Sequence, residues 1–277
     1  MDKQITLSEA VNLVKDGDIL ALGGNVLHRA PMAFVRELIR QNKRELNVVK
    51  TAGAHEIDLL CAADAIDSVS AGFVSYETKY GLATHYRKAV QTGKVKAHEH
   101  ACYTVINALR AATMNVPFMP VHGLKAGDLI EKNDYFVVVE DPFGGKPVTL
   151  IKAIVPNVAI IHVQECDING NARIFGPKYE DVLMSRAADK VIITTERIVT
   201  EHTTKQHREQ IDIPGFLVEA VVHIPNGASP GSCYKRYDAN DRSLSSFLSM
   251  TSWEEITAYI KSFESADYAG IRRKQVW

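Results

Sequence analysis

The chain has 277 residues, of which 46% are hydrophobic and 23% charged. That balance is ordinary for a globular fold, excludes a disordered chain, and suits one large α/β domain or two small ones. The 32 basic and 33 acidic residues nearly cancel, leaving no electrostatic footprint for nucleic acid or an anionic membrane.

No apolar run reaches membrane-spanning length, and Met1-Asp-Lys-Gln4 lacks the apolar core of a secretory signal. Cys61, Cys102, Cys166 and Cys233 are scattered, with no C-x-x-C pair, so a reduced, cytoplasmic setting is expected.

In chain order, Thr6-Leu-Ser-Glu9 reads as a capping box ahead of Leu7, Val11 and Val14 at helical spacing, with Gly17 as the stop. Ile19–Leu22 is short and apolar, as a buried strand should be. Gly23 and Gly24 follow, and Pro31 suits the first turn of a helix carrying Met32, Val35, Leu38 and Ile39 on one face. Arg36 and Arg40 are then expected to face solvent. Leu46–Val49 reads as a strand, His55–Ala63 as a short helix and Ser68–Val74 as a strand. Glu99–Met114 has a helical pattern, and Pro117–Pro120 reads as a stiff extended segment leading into a loop.

Tyr135–Glu140, Val148–Ile154, Val158–Val163 and Lys190–Thr195 are strand-like, and Asp167–Asn171 reads as a hairpin turn. Trp253–Phe263 reads as a surface helix with Ile256, Tyr259, Ile260 and Phe263 inward. Continuous apolar strands alternating with helices predict an α/β fold, an open and mostly parallel sheet covered by helices on both faces. No internal repeat or linker stands out, so residues 1–277 are expected to form a single domain.

The Gly23–Gly24 loop between a strand and a helix start has two readings. It is a β–α turn that merely needs glycine, or a place where main-chain N–H groups hold an anion or a developing oxyanion. His98-Glu99-His100 is the tightest histidine cluster, yet no third ligand lies nearby, and no metal site is expected. Glu201 through His207 reads as a solvated loop. No G-x-S-x-G, P-loop or complete dinucleotide fingerprint is present, which argues against a serine hydrolase, a kinase or a nicotinamide enzyme. Two glutamates are better placed. Glu77 follows a strand end, where α/β sheets put their ligand sites. Glu99 opens a predicted helix, where a carboxylate also gains simply from the helix dipole.

Taken together, the motifs resemble family I coenzyme A transferases of the alpha-subunit type. Asp16, Gly17, Leu20, Ala21, Leu22, Gly23, Gly24 and Pro31 match their N-terminal signature, with Asn25 where phenylalanine is usual and Arg29 where glycine is usual. Val116–Pro120, Val158–His162, Gly170–Gly176, Ile213–Gly215 and Gly227–Pro230 extend the likeness over nearly the whole chain. The resemblance implies a CoA-transferase acting on an acyl-CoA and a free carboxylic acid. It also implies a beta subunit that carries the nucleophilic glutamate, an α2β2 heterotetramer, and coenzyme A thioester as substrate, with no tightly bound cofactor. Gly23, Gly24, Asn25, His28, Arg29, Ser75 and Tyr76 would then line the substrate site. Glu77 and Glu99 are the catalytic candidates in this chain.

Pro31–Arg36, Leu59–Cys61, Gly72–Ser75 and Ala266–Tyr268 also resemble the alpha subunit of a steroid-ring-opening CoA-thioester hydrolase, in which Glu99 would match an active-site glutamate. A ligand-binding regulator is a third reading. It comes last because no helix-turn-helix or basic patch precedes Thr6.

Overall fold

The computed structural model describes residues 2–124 and 128–270. Its strands are β1 (Ile19–Leu22), β2 (Leu46–Gly53), β3 (Ile66–Val74), β4 (Lys96–Glu99), β5 (Phe118–Val121), β6 (Phe136–Val139), β7 (Val148–Lys152), β8 (Val158–Val163), β9 (Glu165–Asp167), β10 (Ala172–Arg173), β11 (Lys190–Thr195), β12 (Ile198–Val199) and β13 (Ala220–His223). Seven of them form the main sheet in the order β13-β11-β8-β1-β2-β3-β4, and every pairing in it is parallel. Two small three-stranded sheets, β10-β9-β12 and β5-β7-β6, flank it.

Side-chain alternation explains the continuous apolar runs. Leu20 and Leu22 of β1, Val158 and Ile160 of β8, and Ile192 of β11 join one core. Ala21, Ala159, Ile161, Val163, Val191 and Ile193 join another. Successive residues point to opposite faces, so a strand covered on both sides must be apolar throughout. The first core is roofed by α1 (Leu7–Val11), α2 (Met32–Arg40) and α3 (His55–Ala62). The second packs under a long helix at Cys102–Thr113 and a shorter one at Asp181–Ala187.

The capping box at Thr6 forms as expected, with Glu9 N–H donating to the threonine hydroxyl at 3.2 Å. The turn at Asp167–Asn171 joins β9 to β10 as an antiparallel hairpin. Among the described residues, no helix is long and apolar enough to cross a membrane.

Pro117–Pro120 is extended as expected, pairing as β5 ahead of a loop. Three local expectations are corrected. Glu99 does not open a helix: it ends strand β4, and the helix starts at Cys102. Glu201–Gln206 is a helix capped by Thr200, not a loop, and it buries Thr204 against Asp167. Arg36 does not face solvent. It is fully buried, with Nε and Nη2 donating to both oxygens of Asp267 at 2.8 and 2.5 Å, and its guanidinium lies 4.1 Å from the centre of the Phe263 ring. Arg40 joins the same carboxylate at 2.7 Å. The C-terminal helices Trp253–Ser262 and Glu264–Asp267 fold over the outer face of α2. Helical periodicity in α2 alone cannot foresee that second layer.

The exit of β3 is set by a buried polar chain. The Tyr76 hydroxyl donates to Asp58 Oδ2 at 3.1 Å and lies 2.9 Å from His55 Nδ1, and His55 Nε2 lies 3.0 Å from the Tyr259 hydroxyl. Tyr86 N–H donates to the other Asp58 oxygen at 2.8 Å. Burial pushes the Asp58 carboxyl up to about 6 and holds His55 neutral by pushing it down to about 3.

Breaking the Arg36–Asp267 pair by Arg36→Leu strands a buried carboxylate that Arg40 only half satisfies, and should cost roughly 3 kcal/mol in urea unfolding. A loss within experimental error would contradict the pairing. The Asp58 proton is held to higher pH in the folded protein than in the unfolded chain. This group therefore removes stability as pH rises from about 4 to about 6, by an amount on the order of 3 kcal/mol. Asp58→Asn abolishes that slope. The stability of the variant relative to wild type should rise by about that amount over this window, and a pH-independent difference would refute the buried-acid assignment.

Candidate functional site

The chain passes from β1 to β2, β3 and β4 on one side, while β8, β11 and β13 lie on the other. The order reverses between β1 and β8. In open α/β sheets, ligands settle in the crevice outside the strand carboxyl ends at such a reversal. The Gly23–Gly24 loop leaves β1 at that place.

Its geometry is fixed by buried charge. Gly24 N–H donates to Asp181 Oδ1 at 2.7 Å, and Arg29 Nη1 donates to Asp181 Oδ2 at 2.6 Å. Arg29 also donates to the carbonyls of His162 and Pro177 at 3.0 and 2.8 Å. From the other side, Lys50 Nζ donates to Gly23 O at 2.7 Å while pairing with Glu56 at 3.0 Å. Glycine is required at both positions. A Cβ on Gly23 would lie 2.9 Å from Asp181 Oδ1, and Gly24, with φ of +75°, would drive one into the His28 carbonyl.

Two expectations change here. Arg29, expected to line the substrate site, is fully buried and paired with Asp181. Nor are the loop's N–H groups open to an anion. Gly23 donates to Ile160 O, Gly24 to Asp181, Asn25 to His28 O and Val26 to Ala52 O. Their donors hold the turn shut. What remains for a ligand is the loop's half-buried outer surface at Asn25 and His28. His28 Nδ1 shares a 3.0 Å hydrogen bond with Ser232 Oγ, and burial with the nearby Arg29 charge lowers its basicity.

The other candidates sit farther along the same edge. Ser75 is turned inward, donating to Gly81 O at 2.8 Å and accepting from Glu77 N–H at 3.2 Å. Tyr76 is buried and committed to Asp58, so it presents no hydroxyl to a ligand. Glu77 is exposed at the rim with φ of +60°. Glu99 pairs with Ala71, three residues before β3 ends at Val74. Its carboxylate therefore starts about 10 Å short of the end of β3. Partial burial raises the Tyr86 and Tyr179 hydroxyls above their ordinary values, with smaller contributions from the charges of Glu99 and Glu77 respectively. The structure puts both on one edge and does not bring them together. His98 and His100 share the same face, as a strand predicts, and both meet the Tyr135 ring edge-on.

Sequence reasoning missed the segment that joins these parts. Tyr179 places its ring edge-on to His28 at 5.9 Å and under the Arg29 guanidinium at 5.8 Å. Glu180 accepts from Thr51 Oγ1 at 2.6 Å, and Asp181 clamps the glycine loop. The available signal was acidic residues just ahead of Val182-Leu-Met184, a helix-start pattern. Backbone strain also gathers here. Val26, Arg29, Glu77 and Tyr179 all hold φ between +47° and +60°, each at a cost on the order of 1–3 kcal/mol, and such residues concentrate at ligand sites.

Deeper in, His162 Nε2 lies 2.8 Å from Glu196 Oε1, which also accepts from the Tyr237 hydroxyl at 2.5 Å, and Cys233 completes a group within 4.8 Å. Burial and the Glu196 charge push the Cys233 thiol up to about 12, so it is held as a thiol.

Comparison with known proteins agrees with this architecture. The family model described as Coenzyme A transferase matches residues 4–223. The chain is 28% identical over 272 residues to one of the subunits of the glutaconate CoA-transferase of Acidaminococcus fermentans, covering 92% of this chain and 85% of that protein. The crystal structure of that transferase superposes with a TM-score of 0.89 at 26% identity, covering 98% and 96% of the two chains. A cholesterol ring-cleaving hydrolase IpdA subunit from Rhodococcus jostii is 31% identical over 286 residues, covering 99% and 96%. A variant structure of the decarboxylase AibA/AibB superposes with a TM-score of 0.86 at 31% identity, covering 96% and 100%. The chain spans 57% of the length of an uncharacterized Archaeoglobus fulgidus protein to which it is 36% identical over 256 residues. The extent of the family match is decisive: the chain belongs to the coenzyme A transferase family.

Proposed function

We propose that this chain is the alpha subunit of a heteromeric CoA-transferase that moves CoA between an acyl-CoA and a free carboxylic acid. It would form an α2β2 assembly with a beta subunit. The observation that carries this reading is the state of the crevice carboxylates. Asp181 is held by Arg29 and Gly24, Glu56 by Lys50, Glu180 by Thr51, and Glu196 by His162 and Tyr237. A carboxylate already engaged in the fold is a poor nucleophile; Glu77 and Glu99 stay exposed on the rim, and in this reading they line the acyl end while the attacking group comes from the second chain.

In the reaction, the partner's carboxylate adds to the thioester carbonyl and expels CoA thiolate, leaving a mixed anhydride. The thiolate then attacks the enzyme-side carbonyl, releasing the first acid and leaving an enzyme–CoA thioester. The acceptor carboxylate reverses these steps. Splitting acyl exchange this way replaces one difficult displacement by several easier ones. This chain's part is a wall that does not yield. The clamped glycine loop, Tyr179 and the rim carboxylate of Glu77 position the acyl group and exclude water.

The likeness to a ring-cleaving hydrolase subunit and the exposed position of Glu99 at the sheet edge favour a second reading, C–C hydrolysis of a CoA thioester. The two differ in the co-reactant. With the partner present, product formation from acyl-CoA should require an added carboxylic acid and scale with it. Turnover at full rate in water alone would favour the hydrolase. The chain without its partner should show no exchange, and full activity alone would refute the partner nucleophile. Glu77→Ala in the complex should alter acyl preference and lower kcat/KM by about tenfold or more, the typical weight of a positioning contact. An unchanged substrate range and rate would remove Glu77 from the site.

A further inference from the structure

A cavity of about 340 Å³ opens beside the crevice, between His28 and the segment Ser232–Asp238. It belongs to the same edge of the sheet, because Ser232 is bridged to His28 and accepts the Arg29 N–H at 2.8 Å. Its wall carries Lys235 and Arg236 against one acid, Asp238.

The charge behind that wall is unbalanced. Arg236 Nη2 and Arg197 Nη2 each lie 3.5 Å from Glu165 Oε1, and Arg173 Nη2 donates to Glu165 Oε2. Three guanidinium groups thus share one carboxylate, before Lys235 is counted. Arg173 is more than nine-tenths buried, yet its Nε has no hydrogen-bond partner. Lys235 Nζ and Arg173 Cζ each sit 5.6 Å from the centre of the Phe175 ring, so one aromatic face gathers both cations. Lys235 itself holds φ of +64°. Like charges at this spacing repel, and a bound anion relieves them. The forked guanidinium also suits carboxylate or phosphate oxygens in particular.

We propose that this cavity is an anion-binding site for a phosphate or carboxylate group, contacted by Arg236 and Lys235, with Arg173 and Arg197 supplying the surrounding positive field. The identity of the natural anion rests on the transferase reading, in which it is either a phosphate of CoA or the carboxylate of the acceptor acid. The residues named all lie in this chain.

Calorimetric titration of the full chain, both by itself and in complex with its partner, tests this. The probes are inorganic phosphate, glutarate, CoA and 3′-dephospho-CoA, each at low and at raised salt. At least one should bind, more weakly as salt rises, and Lys235→Ala/Arg236→Ala should weaken every binding probe by about tenfold or more. Arg236→Lys should lose part of that affinity, and thermal unfolding confirms that each variant is folded. Preference for CoA over 3′-dephospho-CoA would assign a nucleotide phosphate, and preference for glutarate over phosphate would assign a carboxylate. The inference is overturned if no probe binds, or if the folded double variant binds each one as tightly as wild type. Phosphate binding without CoA binding would leave the anion site standing and count against the transferase reading.

Discussion

The pairing of Arg29 with Asp181 governs the rest of the site. A salt bridge closed off from water gives little net stability, because desolvating both ions offsets most of their attraction. Its value lies in geometry. Asp181 takes one hydrogen bond from the Gly24 amide and another from Arg29, while Arg29 Nη1 and Nη2 also donate to two carbonyls. The turn after β1 is thereby tied to β8 and to the helix at Asp181–Ala187, across the place where the strand order reverses. Lys50 and Glu56 repeat the arrangement on the β2 side. A loop held at this many points is rigid.

That rigidity changes what the two glycines mean. They do not offer free amides to an oxyanion, since each amide has a partner inside the protein. They allow Asp181 and the His28 backbone to come closer than any side chain would permit. The strained residues that surround them, Val26 and Arg29 in the loop and Glu77 and Tyr179 opposite, are the cost of presenting that wall in one fixed shape. The cationic cavity then opens from its far side, at His28 and Ser232.

Much of the fold was legible because it follows local rules. The capping box at Thr6 and the apolar runs of β1, β8 and β11 are set by short-range patterns, and they formed where those patterns lie. What escaped depends on distant chain segments. Arg36 reads as a surface residue until Asp267, more than two hundred residues later, folds back over it. Glu99 reads as a helix start because a helical pattern follows closely, yet pairing with β3 draws it into the sheet. The candidate site shows the same division. The glycine loop and Glu77 were visible as motifs, whereas Tyr179–Asp181 and the segment Ser232–Asp238 acquire meaning only through contacts across the switch point.

The central claim is that this chain builds the wall of a CoA-thioester site while the attacking carboxylate comes from another polypeptide. It is tested most directly by trapping the covalent intermediate. The complex would be incubated with acyl-CoA and quenched with hydroxylamine, and both polypeptides would be peptide-mapped by mass spectrometry. The account predicts a glutamyl hydroxamate on the partner and none on this chain. A hydroxamate at Glu77, at Glu99 or at any other carboxylate of this chain would contradict it.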